Sequence, residues 1–362
     1  MTEGMEAEQE KTMKRILLII SCTMLAIGTS GGPIMIRLYF IHGGHRVWLC
    51  SFLENCGFPI FLIPLFISYI RRRRSAAANQ SAKIKMVLIE LPLFLASVVM
   101  GLVTGLSTFF FAFGVSRLPV TTSSLILATQ LAFNALFSFL LVRQKFRVYS
   151  VNTIVLLTIA AGILAMHSSG DRPSGETSKE YVVGFILIVL VAVLDGFLFP
   201  LVELAYKKVK QTISYTLVME VQFVMCMVAS LFNIIGMIVN NDLKVISSEA
   251  RQFEHGAVAY GIVLVGIAIL SQCLLLGGVG VVFCASSLLS GVIIAAILPV
   301  TEILAVIFFN EKFNVEKGVA LILSLWGFAT YFYGETKQAK KMKKNVPRPE
   351  AEVLQVLPIS NP

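Results

Sequence analysis

Of the 362 residues, 56% are hydrophobic and only 14% are charged, and the formal net charge is +9. A soluble chain of this length must wet its outside and cannot hide so much apolar surface, so a water-soluble domain is excluded. Nucleic-acid binding is excluded as the reason for the positive charge, because the basic residues cluster between apolar blocks and in one tail instead of forming a patch.

The apolar blocks run to about 20 residues or more, the length needed to cross a hydrocarbon core of about 30 Å as a helix. Ten spans are expected, beginning after a polar cytoplasmic tail at 1–15. That first block is too long and too poor in a cleavage site to be a signal peptide. Span 1 (16–38) carries "GTSGGP" (28–33), whose proline breaks the hydrogen-bond ladder, and Arg37 near its outer end. Span 2 (47–70) opens on Trp48 and places Glu54 and Asn55 in its outer half. "RRRR" (71–74), Lys83 and Lys85 follow, then span 3 (88–114), with Glu90 within ion-pair reach of Lys85. Span 4 (120–142) holds Gln130 and Asn134 near its centre, and span 5 (148–168) closes the first half. After an extracytoplasmic linker (169–181), span 6 (182–206) contains Asp195, Pro200 and Glu203, the last beside Lys207 and Lys208. Span 7 (213–240) carries Glu220 and Gln222 in its inner half. Span 8 (257–280), span 9 (285–309) with Thr301 and Glu302, and span 10 (315–335) lead to a basic tail at 336–362 that can touch anionic lipid. With ten alternating spans, 21 of the 30 Lys and Arg lie on the side of the termini and 9 opposite, which places both termini in the cytoplasm.

The six cysteines all fall inside spans without disulfide or metal-ligand spacing, and read as packing residues. His42, His45, His167 and His255 stand at span ends or in loops, none with a second ligand nearby in sequence, so they read as solvated. No metal and no cofactor is expected.

The two halves match at one offset. Laying residue n on n+167 places "QLAFNALFSFLLVRQKF" (130–146) on "ILPVTEILAVIFFNEKF" (297–313), Pro33 on Pro200, Tyr39 on Tyr206 and Asn55 on Gln222. Five spans is an odd number, so the second half enters the membrane inverted. The expected architecture is therefore an all-α integral membrane protein of ten transmembrane helices in two inverted five-helix repeats. Such duplication characterises secondary transporters whose sites lie near the midplane between repeats.

Polar groups in hydrocarbon cost several kcal/mol unless they face the bundle interior or a wet cavity. Gln130 and Asn134 lie one turn apart and project on one side of their helix. Two such amides can read a planar ring with alternating donors and acceptors, as Asn and Gln read the edge of adenine. The bland alternative is an interhelical hydrogen bond. Glu54 with Asn55 and Glu220 with Gln222 bracket the midplane through the repeat, and Glu302 with Thr301 stands beside the equivalent of Asn134. Each of Glu54, Glu220 and Glu302 is either a proton carrier or a fixed hydrogen-bond donor. Glu203 reads as an interfacial ion pair with Lys207 or Lys208. Trp48 and the aromatics of "STFFFAFG" (107–114), Phe223 and Tyr260 either stack on a substrate or form the interfacial belt. The scarcity of intramembrane Lys and Arg speaks against organic phosphates and for a neutral or weakly basic substrate. An intramembrane enzyme would need a nucleophile with a base or a metal cluster, and no span offers one.

Several blocks resemble the plant purine permeases: "GTSGGPIMIRLYFIHGGHRVWLCSFLENCGFPIFLIPL" (28–65), "SRLPVTTSSLILATQLAFNALFSFLLVRQKF" (116–146), "FPLVELAYKK" (199–208), "VMEVQ" (218–222) and "LPVTEILAVIFFNEKF" (298–313). The resemblance runs through all ten spans in order. It implies the drug/metabolite transporter fold and import of adenine, other purines, cytokinins, alkaloids or vitamin B6, with uptake coupled to protons. It also implies that Gln130, Asn134, Glu54, Glu220 and Gln222 are cavity residues. Asp195, Asn55 and Cys56 depart from the pattern expected of relatives. The expected location is the plasma membrane, and the expected partners are a small purine or cytokinin, protons and lipid, with no nucleic acid.

Overall fold

The computed structural model describes residues 2–78, 88–143, 148–167, 178–209 and 214–309, together with scattered helical positions between 315 and 337. Lys83, Lys85, Lys145, Arg147, Lys210, Lys312, most of the 169–181 linker and nearly all of the C-terminal tail lie outside these residues. Among the described residues every regular element is helical. We number them α1 (Thr2–Ile41), α2 (Val47–Asn55), α3 (Leu62–Ala78), α4 (Leu91–Arg117), α5 (Val120–Ala128), α6 (Gln130–Val142), α7 (Val148–His167), α8 (Ser178–Lys208), α9 (Tyr215–Val239), α10 (Asp242–Gln252), α11 (Gly256–Cys284) and α12 (Ser287–Phe309).

Among the described residues, seven helical stretches are long and apolar enough to cross a membrane: Thr12–Ile41, Val47–Arg74, Leu91–Arg117, Lys179–Lys208, Tyr215–Val239, Gly256–Cys284 and Ser287–Phe309. Gln130–Val142 and Val148–Ala160 are shorter apolar helices. The polarity is inverted relative to a soluble protein. Ile63, Leu91 and Val258 are exposed, while Asn55, Asn134, Gln222, Asn233 and Thr301 are fully buried. Lipid rewards that arrangement and water does not. The chain is a multi-pass membrane protein.

Two expected spans are broken. After α2 the chain forms a short 3₁₀ turn (Phe58–Phe61) before α3, because Pro59 has no N–H to continue the ladder. Between α5 and α6, Thr129 donates from both its N–H (3.0 Å) and its Oγ1 (2.6 Å) to the Ile126 carbonyl. That pair of bonds tightens the turn and interrupts the helix. The unforeseen element is α10, an amphipathic helix that lies against α9 and α11.

In the bundle α1 packs on α11 and α12, α4 on α8 and α9, and α6 on α8 and α12. The α1–α11 crossing is made by backbone contact. A Cβ on Gly28 would stand 2.3 Å from the Leu274 nitrogen, and one on Gly277 would stand 2.4 Å from the Leu25 nitrogen. The closeness is the ordinary use of small residues where lipid supplies no hydrophobic drive. On α8, Gly196 meets Phe133 and the Asn134 nitrogen in the same manner and sets α6 at its depth.

Candidate functional site

A cavity of about 110 Å³ lies among α1, α2, α4, α5, α6, α8, α11 and α12. Small ligands are held by clefts with mostly apolar walls and a few aimed polar groups. The wall here fits that description. Pro33, Ile36, Phe111, Leu127, Leu198 and Phe199 supply apolar and aromatic surface, and Glu54, Asp195, Gln130, Ser107, Thr108 and Ser271 supply polar atoms. No Lys or Arg stands among the described lining residues.

Helix geometry explains who reaches the cavity. Gln130 opens α6 immediately after the Thr129 break, is 6% exposed, and its side-chain amide makes no hydrogen bond within the described residues. Glu54 sits in the last turn of α2 and is 7% exposed, with its Oε1 unpartnered although buried. Burial without a partner is expensive, so the Glu54 Oε1 belongs where a ligand, a proton or water can satisfy it. Asp195 lies four residues before Phe199 on α8 and accepts a bond from Ser107 Oγ at 2.6 Å. It is the one strongly polar lining residue that sequence reading left outside the expected site.

The other expected site residues go elsewhere. Asn134 donates through Nδ2 to the Ser287 carbonyl at 3.1 Å and accepts from Ser138 at 3.1 Å, tying α6 to α12 against Gly291. Asn55 donates to the Ser51 carbonyl (3.2 Å) and to Thr108 Oγ1 (3.1 Å), behind the cavity wall. Gln222 is fully buried and donates to Cys226 Sγ at 3.1 Å. Glu220 accepts from the backbone N–H groups of Leu88 and Ile89, both at 2.8 Å, at the start of α4. Thr301 bonds the carbonyls of Thr29 (3.5 Å) and Ile297 (3.4 Å) within the α1–α12 contact. Glu302 is buried on α12 away from the cavity lining. Trp48 stacks on Phe109 with centroids 3.9 Å apart and rests on Gly236. Of the other aromatics, Phe111 faces the cavity, Phe223 packs edge-on against Phe58, and Tyr260 donates to Glu249.

Glu203 is ion-paired as expected, with Lys207 Nζ at 2.8 Å, and it also accepts from the N–H (2.9 Å) and hydroxyl (2.5 Å) of Ser287. The loop histidines correct the sequence expectation. His42 and His255 are not isolated; their ring centroids are 4.5 Å apart, and His42 Nδ1 lies 2.6 Å from Glu254 Oε2. Chain folding across more than 200 residues brings them together, and no local spacing could reveal it.

Asn134→Ala is expected to lower stability by about 1–3 kcal/mol, because it removes the buried hydrogen bonds to the Ser287 carbonyl and from the Ser138 hydroxyl. The affinity of the folded fraction for its ligand should not change. Thermal unfolding of detergent-purified protein, set beside ligand binding per folded molecule, separates the two effects. An affinity loss with unchanged stability would move Asn134 into the site.

A family profile described as purine nucleobase transmembrane transport matches residues 16–341. Purine permease 3 of Arabidopsis thaliana is 47% identical over 350 residues, covering 97% of this chain and 99% of its own. Purine permease 2 of the same species is 47% identical over 342 residues, covering 91% of this chain and 95% of its own. One solved structure superposes with a TM-score of 0.57 at 14% identity, covering 91% of this chain and 99% of its own, a likeness of fold alone. A profile match across nearly all the apolar spans, together with relatives matched end to end, carries one conclusion: the chain belongs to the purine permease family, a class of transporters and not of enzymes.

Proposed function

We propose that the chain carries purine nucleobases, adenine among them, and adenine-derived cytokinins across the plasma membrane, with a proton moving alongside the substrate. The observation that carries this reading is one cavity lined by the Gln130 amide and by the Glu54 carboxyl, whose buried Oε1 has no partner, with no cation among the described lining residues. An amide offers both donor and acceptor to the edge of a purine ring. Phe111 and Phe199 offer faces for stacking. Phosphorylated substrates would need a positive partner, and the described lining residues supply none. Glu54 and Asp195 facing one low-dielectric space cannot both carry charge cheaply, which makes the pair a natural seat for a travelling proton.

Ten spans in two inverted repeats, 16–168 and 182–335 with both termini cytoplasmic, complete the proposal. Here α5–α6 and α7 are spans 4 and 5, and the helical positions beyond 314 belong to span 10. The packing supports it. At the offset of 167 residues, α1 on α11 becomes α8 on α4, and α6 on α8 becomes α12 on α1. Pro33 and Pro200 both lie inside long helices at equivalent places. Rocking one repeat against the other would expose the cavity to each side in turn.

The test is influx of labelled adenine in cells lacking their own purine uptake, in acidic and neutral medium, with and without a protonophore, and with excess trans-zeatin as competitor. Uptake favoured by acid, lost with the protonophore and blocked by zeatin is expected. Gln130→Ala should raise the adenine KM about tenfold or more, the loss of one hydrogen bond to a buried polar group being worth about 1–3 kcal/mol. A Gln130→Ala protein that reaches the membrane and keeps its KM would remove that residue from the site. If adenine does not move at all, alkaloids and other flat heterocycles become the candidates.

A further inference from the structure

The α1–α2 and α10–α11 connections meet at one end of the bundle, away from the cavity lining. There His42, Glu254 and His255 present their ligand atoms within 4.8 Å of one another. We propose that these three residues form a binding site for one late first-row divalent cation, with zinc as the probe.

The donor set fits. Two imidazoles and a carboxylate suit zinc, copper or nickel, whereas calcium and magnesium prefer oxygen ligands alone. Ligands about 2.0–2.1 Å from a tetrahedral zinc ion stand about 3.4 Å apart, so the 2.6 Å between His42 and Glu254 must widen and separations of up to 4.8 Å must shrink, shifts that a side-chain rotation would supply. Glu254, with its side chain 63% exposed, has the freedom to make that rotation. The open face leaves room for water as a fourth ligand and for the ion's approach.

The backbone beneath is already docked. The Glu254 N–H donates to the His42 carbonyl at 3.2 Å. Gly43 and Gly256, each beside a ligand residue, turn the chain at φ +102° and +81°. Such values strain any other residue, so the two turns hold the histidines where they are. Phe253 is buried and meets the His42 ring edge-on at 6.1 Å. One layer further in, Glu249 accepts from Tyr39 at 2.5 Å and from Tyr260 at 3.2 Å, and Arg46 lies 3.4 Å from Glu249 and 3.6 Å from Asp242. This buried network fixes α10 against α1 and α11, so the ligands sit on a rigid platform, as a metal site requires. A simple ion pair would account for His42 and Glu254 but leaves the adjacent His255 ring unexplained. A bound cation would tie a connection of the first half of the chain to one of the second.

Tag-free, full-length protein in detergent would be titrated with zinc against a chromogenic chelator, and its thermal unfolding followed with and without metal. One zinc per chain and a raised Tm are expected. His42→Ala and His255→Ala should each weaken binding at least about tenfold, the minimum seen when a metal's surroundings are altered. His45→Ala should change nothing, because that residue is exposed and outside the cluster. The metal-free Tm reports whether each variant folds. If His42→Ala fails to fold, His255→Ala decides alone. The proposal is overturned if the wild-type protein binds no zinc. It is equally overturned if folded His255→Ala binds zinc as tightly as wild type, which would point to the cysteines.

Discussion

Glu54→Gln is expected to abolish accumulation of substrate while leaving exchange of substrate for substrate intact. Glutamine keeps the shape of the side chain and its capacity to hydrogen-bond a ring, and removes only the group that can gain and lose a proton. The position is suited to that role. Glu54 is buried at the end of α2, has an unpartnered Oε1, and faces the same cavity as Gln130. Moving one charge through the membrane potential is worth about 2.3 kcal/mol per 100 mV, or a substrate gradient of about 50-fold. Wild-type protein coupled to one proton should therefore concentrate labelled adenine by up to about that factor for each 100 mV. The variant should settle at a ratio of one. Counterflow in liposomes, which needs no net proton movement, should persist. Asp195→Asn is the necessary comparison, since that carboxyl shares the cavity but is already engaged by Ser107. Should Glu54→Gln accumulate like wild type while Asp195→Asn does not, the proton belongs to Asp195.

These two carboxyl groups also mark how far sequence reading could go. Length, hydropathy and the lone offset of 167 residues were enough to foresee a helical membrane bundle, since they depend only on chain periodicity. Membership of a helix face was harder. Four residues advance a helix by about 400°, so Gln130 and Asn134 are offset by about 40° around the axis. That offset suffices for one amide to meet the cavity and the other to meet Ser287 on α12. Glu54 and Asn55, adjacent in sequence, stand about 100° apart around the axis, so one lines the cavity and the other packs behind it. Neither the Thr129 break nor α10 could be read from apolar runs, because one depends on a hydroxyl competing for a carbonyl and the other is too short and polar to register as a span. Asp195 was visible as an odd acid in an apolar span. What sequence withheld was its neighbour Ser107, 88 residues away, whose hydroxyl turns an isolated acid into part of a cavity wall.

Gly28→Leu should lose the folded state altogether. At this position the nearest atoms to a new Cβ are the Leu274 nitrogen at 2.3 Å, the Leu274 Cα at 2.6 Å and the Leu270 carbonyl oxygen at 2.7 Å. All three are backbone atoms of α11, so no side chain can swing away to make room. Accommodation requires α1 and α11 to separate along their whole crossing, including the reciprocal contact of Gly277 with Leu25. Overpacking a well-fitted core costs about 1–3 kcal/mol where side chains can yield, and backbone against backbone belongs at or beyond the top of that range. In lipid the loss is not recovered, because close packing is itself the main force between helices. Gly28 and Thr29 line the cavity, so the displacement would also open its wall. Gly162→Ala is the matched control: a Cβ there meets nothing within 4 Å, and alanine favours the helix by about 0.5–1 kcal/mol. The expected readouts are a collapse of monodisperse yield and a lost or sharply lowered unfolding transition for Gly28→Leu, beside an unchanged or slightly raised one for Gly162→Ala. A Gly28→Leu protein with wild-type yield and Tm would mean that α1 and α11 do not cross at backbone distance, and the pairing of α1 with α11 would have to be redrawn.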